Sequence, residues 1–159
     1  MLEGRCLRRI REGGRDVRFI GNVVWVLLAG LWLAIGYVVA GIVNAVFIIT
    51  IPFALQSFKL AGLVLWPFGK VVVERQDADA ALGCLGNAIW FVTGGVWLAL
   101  GHLVAGVVLC LTIIGIPFGI ASFRMAGLAL APFGKQVVRR TRVPAGTRVV
   151  FGAPEPLGG

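Results

Sequence analysis

The stretch GIPFGIASFRMAGLALAPFGK, residues 115–135, sets one cation, Arg124, in an otherwise apolar segment with a proline near each end. TIPFALQSFKLAGLVLWPFGK, residues 50–70, is nearly the same text and holds Lys59 where the later stretch holds Arg124. The likeness extends outward from this pair: residues 21–75 align without a gap onto 86–140 at an offset of 65, with more than half of the positions identical. Each copy runs N-x-x-W (Asn22 and Trp25, Asn87 and Trp90), W-L-A-x-G, V-A-G, I-P-F, S-F-[KR]-x-A-G-L-x-L and P-F-G-K in that order. Shared greasiness does not reproduce an ordered text of this kind. A duplicated unit does.

The composition says where such a unit lives. Of 159 residues, 58% are apolar and only 14% charged, and the mean hydropathy is +0.93. Those values lie outside the make-up of a soluble domain and predict lipid surroundings. The charges are confined to the ends and the middle. Residues 1–18 carry six arginines against three acids, a net of +3, residues 70–85 net −1, and residues 135–159 net +4. A pI near 10.8 raises the question of nucleic acid, but basic flanks beside apolar runs read more simply as cytoplasmic anchors facing anionic lipid headgroups, with no nucleic-acid partner. Two basic termini place both ends in the cytoplasm and require an even number of crossings. The run from Phe19 is too long for a cleavable signal peptide. Cys6, Cys84 and Cys110 form no CxxC or Cys/His cluster, so neither a disulfide framework nor a metal site is implied.

The I-P-F, S-F-[KR] and P-F-G-K pattern, the N-x-x-W start and the tandem arrangement resemble the YccF family of bacterial inner membrane proteins. The resemblance spans about residues 19–140 and implies an integral, multi-pass protein of the bacterial inner membrane. It implies no particular reaction or ligand.

The expected organisation is a basic cytoplasmic segment (1–18), a first membrane repeat (19–75), a polar linker (76–85), a second repeat (86–140) and a basic tail (141–159) containing a possible hairpin, RVPAGTRVVF. The fold class is all-α integral membrane: two parallel tandem repeats of a transmembrane helix with proline-broken shorter helices, and a small β element after each. An uncharged run of about 33 residues would be roughly 50 Å long as one helix, against a hydrocarbon core of about 30 Å. It therefore tilts, breaks or folds back. Breaks are expected at Gly30, at Gly94 and Gly95, at Gly36 and Gly101, and at Pro52 and Pro117, with Pro67 and Pro132 closing the shorter helices. On that basis the main helices cover 31–51 and 96–116. Gly36 and Gly41, and Gly101 and Gly106, mark close-packing faces, since small residues let helices approach in lipid.

The candidate functional residues are the polar ones inside the spans. Lys59 and Arg124 lie roughly 12–16 Å along the helix from P-F-G-K. They either snorkel to the phosphate layer or line a hydrated, anion-favouring cavity. Asn22 and Asn87 are matched between copies and bond to a neighbouring helix or face a pore. His102 aligns with Tyr37 and serves as an interhelical contact or as a proton relay. Ser57 and Ser122 are expected to bond back to a carbonyl of their own helix. The spans contain no carboxylate, no nucleophile with a base and no metal-ligand spacing, so an enzyme is not expected and no cofactor is implied. Two function classes remain: an oligomeric channel or transport subunit, which the matched polar positions favour, and a non-conducting accessory that partners a larger transporter or organises the bilayer.

Overall fold

A computed structural model describes residues 2–46, 48–75, 79–144 and 146–152. Met1, Phe47 (the partner of Thr112 in the repeat comparison), the middle of the linker and the tail past Gly152 lie outside the described residues. The fold is mostly helical, with a small antiparallel sheet.

Helix α1 (Leu2–Trp25) passes through one π-helical turn (Val26–Gly30) directly into α2 (Leu31–Ala45). The second half repeats this with α4 (Ala80–Trp90), a π turn (Phe91–Gly95) and α5 (Val96–Cys110). Gly30, Gly94 and Gly95, expected as breaks, instead widen the helices, and Gly36 and Gly101 lie inside uninterrupted α2 and α5. A Cβ on Gly30 would lie 2.5 Å from the Trp25 ring, and one on Gly95 would lie 2.9 Å from Trp90. Glycine and the looser turn together let the indole fold back along its own helix without interrupting it. Two helices long and apolar enough to cross a membrane result, Gly13–Ala45 and Ala80–Cys110.

Both main helices end earlier than expected, at Ala45 and Cys110 rather than at the residue before each proline. Pro52 and Pro117 do not break helices but start them: they sit in the first turn of α3 (Ile51–Leu65) and α6 (Ile116–Leu130). There the missing N–H removes no hydrogen bond, so the chain has to reverse before the proline. The reversals carry no charge, and Ile48 and Ile113 at their tips are 85% and 87% exposed. The tip polar groups bond inward. Thr50 Oγ1 donates to the Asn44 carbonyl, Asn44 Nδ2 to the Ala40 carbonyl and Thr112 Oγ1 to the Leu109 carbonyl.

P-F-G-K turns helix into strand. Trp66 and Ala131 leave the helical region just before Pro67 and Pro132, as the residue before a proline is driven to do. Gly69 and Gly134 take φ of +105° and +79°, and the lysine opens the strand. Strand β1 (Lys70–Glu74) lies between β2 (Lys135–Arg139) and β3 (Val149–Phe151), antiparallel to both. The expected hairpin within 142–151 does not form. Arg140–Arg142 make a 3₁₀ turn, and β3 crosses to the far edge of β1, where Phe151 covers the buried Val72.

The pairing of β1 with β2 has Val72 opposite Val137, its own equivalent at the 65-residue offset, and Lys70 opposite Arg139. Equivalent residues also meet between the helices. A Cβ on Gly36 would meet Leu98 at 3.6 Å and one on Gly101 would meet Leu33 at 3.3 Å, while Tyr37 meets His102. Phe53 meets Phe133 edge to face, and Phe68 meets Phe118 in the same way. These reciprocal contacts define a pseudo-two-fold axis running from the sheet down between α2 and α5. Since α3 and α6 both deliver their chains to the same sheet, the two halves share one orientation relative to it.

Candidate functional site

The sequence-matched polar residues fall into two groups, a set of fasteners beside the axis and a basic region beneath the sheet.

Asn22 is a fastener. Its Nδ2 donates to the Phe68 carbonyl at 2.8 Å and its Oδ1 accepts from the Phe68 N–H at 2.9 Å. Asn87 grips Phe133 in the same way, at 3.3 and 2.9 Å. A primary amide is the smallest side chain able to satisfy both backbone groups of one residue, which explains the residue type. One turn further, Trp25 Nε1 donates to Val64 O and Trp90 Nε1 to Ala129 O, each at 2.7 Å. N-x-x-W thus clamps the end of the returning helix and the turn that follows it. The asparagines face the backbone of P-F-G-K and not a pore.

Ser57 and Ser122 cross to the neighbouring helix rather than bonding within their own, donating to Tyr37 O and His102 O at 2.7 Å. These carbonyls belong to the two residues that meet on the axis. His102 is fully buried, with Nδ1 3.3 Å from Ser122 Oγ and Nε2 without a partner. Gly41 and Gly106 lie against the rings of Phe58 and Phe123, where a Cβ would come within 2.7 and 2.6 Å.

Lys59 and Arg124 occupy matching helix positions but different surroundings. Lys59 Nζ donates to Lys135 O at 3.1 Å, beside Gln56, whose Nε2 donates to Pro132 O at 2.9 Å. On the other side Ala121 stands where Gln56 stood, too short to reach across, and a cavity of about 250 Å³ remains. Arg124 lines it together with Arg18, Lys70 and Arg140. Arg124 thus lines the cavity, while Lys59 is turned to the opposing strand and does not. Lys70 and Lys135 also hold down helix ends: Lys70 Nζ donates to Gly62 O and Lys135 Nζ to Ala131 O. Burial lowers both ammonium pKa values from the usual lysine range. Arg18 and Arg140 are not among the candidates the sequence offers, and Lys70 enters there only as the last residue of P-F-G-K. The usable signal was the mismatch between copies, Gln56 against Ala121 and Gly83 against Arg18.

The chain matches the family described as inner membrane component domain twice, over residues 20–70 and 85–135. Similar curated proteins are named inner membrane protein YccF, one from Escherichia coli (strain K12) and one from Shigella flexneri. Each is 32% identical over 130 residues, covering 77% of this chain and 88% of the relative. No solved structure matches.

Proposed function

Because the chain belongs to the YccF family of inner membrane proteins, we propose that it is a non-conducting accessory of the bacterial inner membrane. In this reading two apolar helical hairpins root the chain in the bilayer from the cytoplasmic side. The basic three-stranded sheet then forms a platform at the cytoplasmic headgroup layer. Arg15 and Arg18 lie on α1 just before the uncharged run begins at Phe19, and Lys70, Arg139 and Arg140 lie in or beside the sheet, so the cations collect at one end. Apolar side chains such as Leu27, Trp32, Val92 and Trp97 stand more than 70% exposed along the helices, as a lipid-facing exterior requires. Both termini and the linker are on the cytoplasmic side.

The observation that carries the reading is the filled axis. From Val72 and Val137 through the Phe53–Phe133 and Phe68–Phe118 pairs to Tyr37 and His102, the line between the halves is packed by side chains. A conduction path along this axis would have to displace them.

The test is purified protein in liposomes of anionic and neutral lipid, assayed for potassium, chloride and proton flux. The expected result is flux equal to protein-free vesicles, with the protein retained in the membrane after carbonate extraction. Anion flux that disappears in Arg124→Ala would overturn the proposal and favour a channel.

A further inference from the structure

We infer that the cavity between α6 and the sheet is a binding site for a phosphate-bearing anion. Its four cations come from separate parts of the chain: Arg18 from α1, Lys70 from β1, Arg124 from α6 and Arg140 from the turn after β2. An adjoining space of about 330 Å³ shares Arg18, Lys70 and Arg140 and adds Arg139. Among the described residues no carboxylate lines either space, while Glu74, on the same sheet, faces Arg148 instead. Converging positive charge without a counter-charge is unfavourable unless an anion joins it.

Arg140 adds a directional argument. Its Nε is buried and has no hydrogen-bond partner, and an unmet buried donor on a charged group is among the costlier defects a fold can carry. Arg140 also lines the cavity, where its planar guanidinium fork matches phosphate geometry. The cavity, about 250 Å³, is below the drug-sized range of roughly 300–1,000 Å³ and suits a single phosphate group.

The pseudo-symmetric position supplies an internal control. There Gly83 replaces Arg18, Gln56 replaces Ala121, and both Gln56 and Lys59 are spent on carbonyls of the opposing repeat. One of two equivalent places is thus plugged, and the other is left open with an extra cation.

A lipid phosphodiester and free phosphate offer the same chemistry. Arg18 immediately precedes the apolar run, which puts the cavity at headgroup depth if the sheet lies on the cytoplasmic surface as proposed above. The site rests on that placement only for its lipid source.

The experiment uses the full-length protein in neutral detergent, titrated with inorganic phosphate and followed by thermal shift. In parallel, protein is reconstituted in phosphatidylcholine nanodiscs with and without phosphatidylglycerol, and retained lipid is counted by native mass spectrometry. Wild type is expected to retain phosphatidylglycerol or to be stabilised by phosphate. Ala121→Gln, which installs the plug already tolerated in the other repeat, and Arg140→Gln are each expected to weaken this by about tenfold or more. Gln56→Ala is not expected to weaken it. Displacement of phosphatidylglycerol by phosphate identifies a site open to soluble phosphates; retention against phosphate identifies the headgroup. Equal binding by wild type, Ala121→Gln and Arg140→Gln, or binding by none of them, overturns the site. Either result leaves the flux and extraction tests of the accessory reading unaffected.

Discussion

Tyr37 and His102 meet across the pseudo-two-fold axis with ring centroids 5.8 Å apart and planes inclined by 57°, although 65 residues separate them in the chain. Each carbonyl accepts from the serine of its own hairpin, so the axis contact is tied to both α2–α3 and α5–α6. Truncating either ring leaves a void where the repeats touch. Tyr37→Ala and His102→Ala are each expected to destabilise the protein by about 2–5 kcal/mol. Because they share one contact, the double variant should lose less than the two single losses added together. Unfolding curves in detergent measure this, and strict additivity would mean that the rings do not support each other.

Glycines separate by what lies over them. Gly41→Ala and Gly106→Ala drive a methyl into the rings of Phe58 and Phe123 and should lower stability by about 1–3 kcal/mol. Gly62→Ala and Gly127→Ala have open space within 4 Å of the new carbon. In helix interiors they should be neutral or stabilising by up to about 1 kcal/mol. Thermal midpoints of the four variants, compared pairwise, give the check. Equal effects in all four would remove close approach as the reason for glycine at positions 41 and 106.

The asparagine clamp predicts a local effect. Asn22→Ala frees the N–H and carbonyl of Phe68, and Asn87→Ala those of Phe133, at about 1–3 kcal/mol each. The turn before each strand should then open first. Hydrogen exchange at residues 66–70 or 131–135 is expected to rise in the matching variant, with little change in the helix core. Uniform acceleration throughout the chain would contradict a clamp.

The offset of 65 residues was legible because more than twenty motif positions recur in order, and it returns in the structure as contacts between equivalent residues. The P-F-G-K turn was legible as a boundary because proline and glycine constrain the backbone locally. Gly30 and Gly95 were misread as breaks: their purpose depends on Trp25 and Trp90, which fold back onto them, and a lone glycine in a helical run carries no sign of that. The strand partner of residues 149–151 was equally hidden. Sequence proximity favours a local hairpin, whereas β1 offered buried valines and an unpaired edge. The basic cavity escaped notice because its cations are up to 122 residues apart and only the differences between copies reveal it.

The hairpin tips yield the last prediction. From Asn22, level with Phe68 of the turn into the sheet, to the end of α2 is about 35 Å of helix, while α3, at 15 residues, returns only about 22 Å. Ile48, Leu111, Ile113 and Ile114, all 78% or more exposed, crown tips that bear no charge. At the second tip the N–H groups of Leu111, Thr112, Gly115 and Ile116 all find partners within the turn. Backbone bonds made largely within the turn and an apolar crown suit a turn in hydrocarbon, and a water-exposed loop needs neither. The tips are therefore expected to end in the acyl region of the far leaflet. With Cys6, Cys84 and Cys110 replaced by serine, cysteine at position 48 or 113 should resist a membrane-impermeant maleimide added to spheroplasts, yet react once detergent is present. With only Cys84 retained, an exposed residue of α4, labelling should occur in inverted vesicles and not in spheroplasts. Rapid labelling at 48 and 113 in intact spheroplasts would instead make the tips periplasmic loops and the hairpins full crossings.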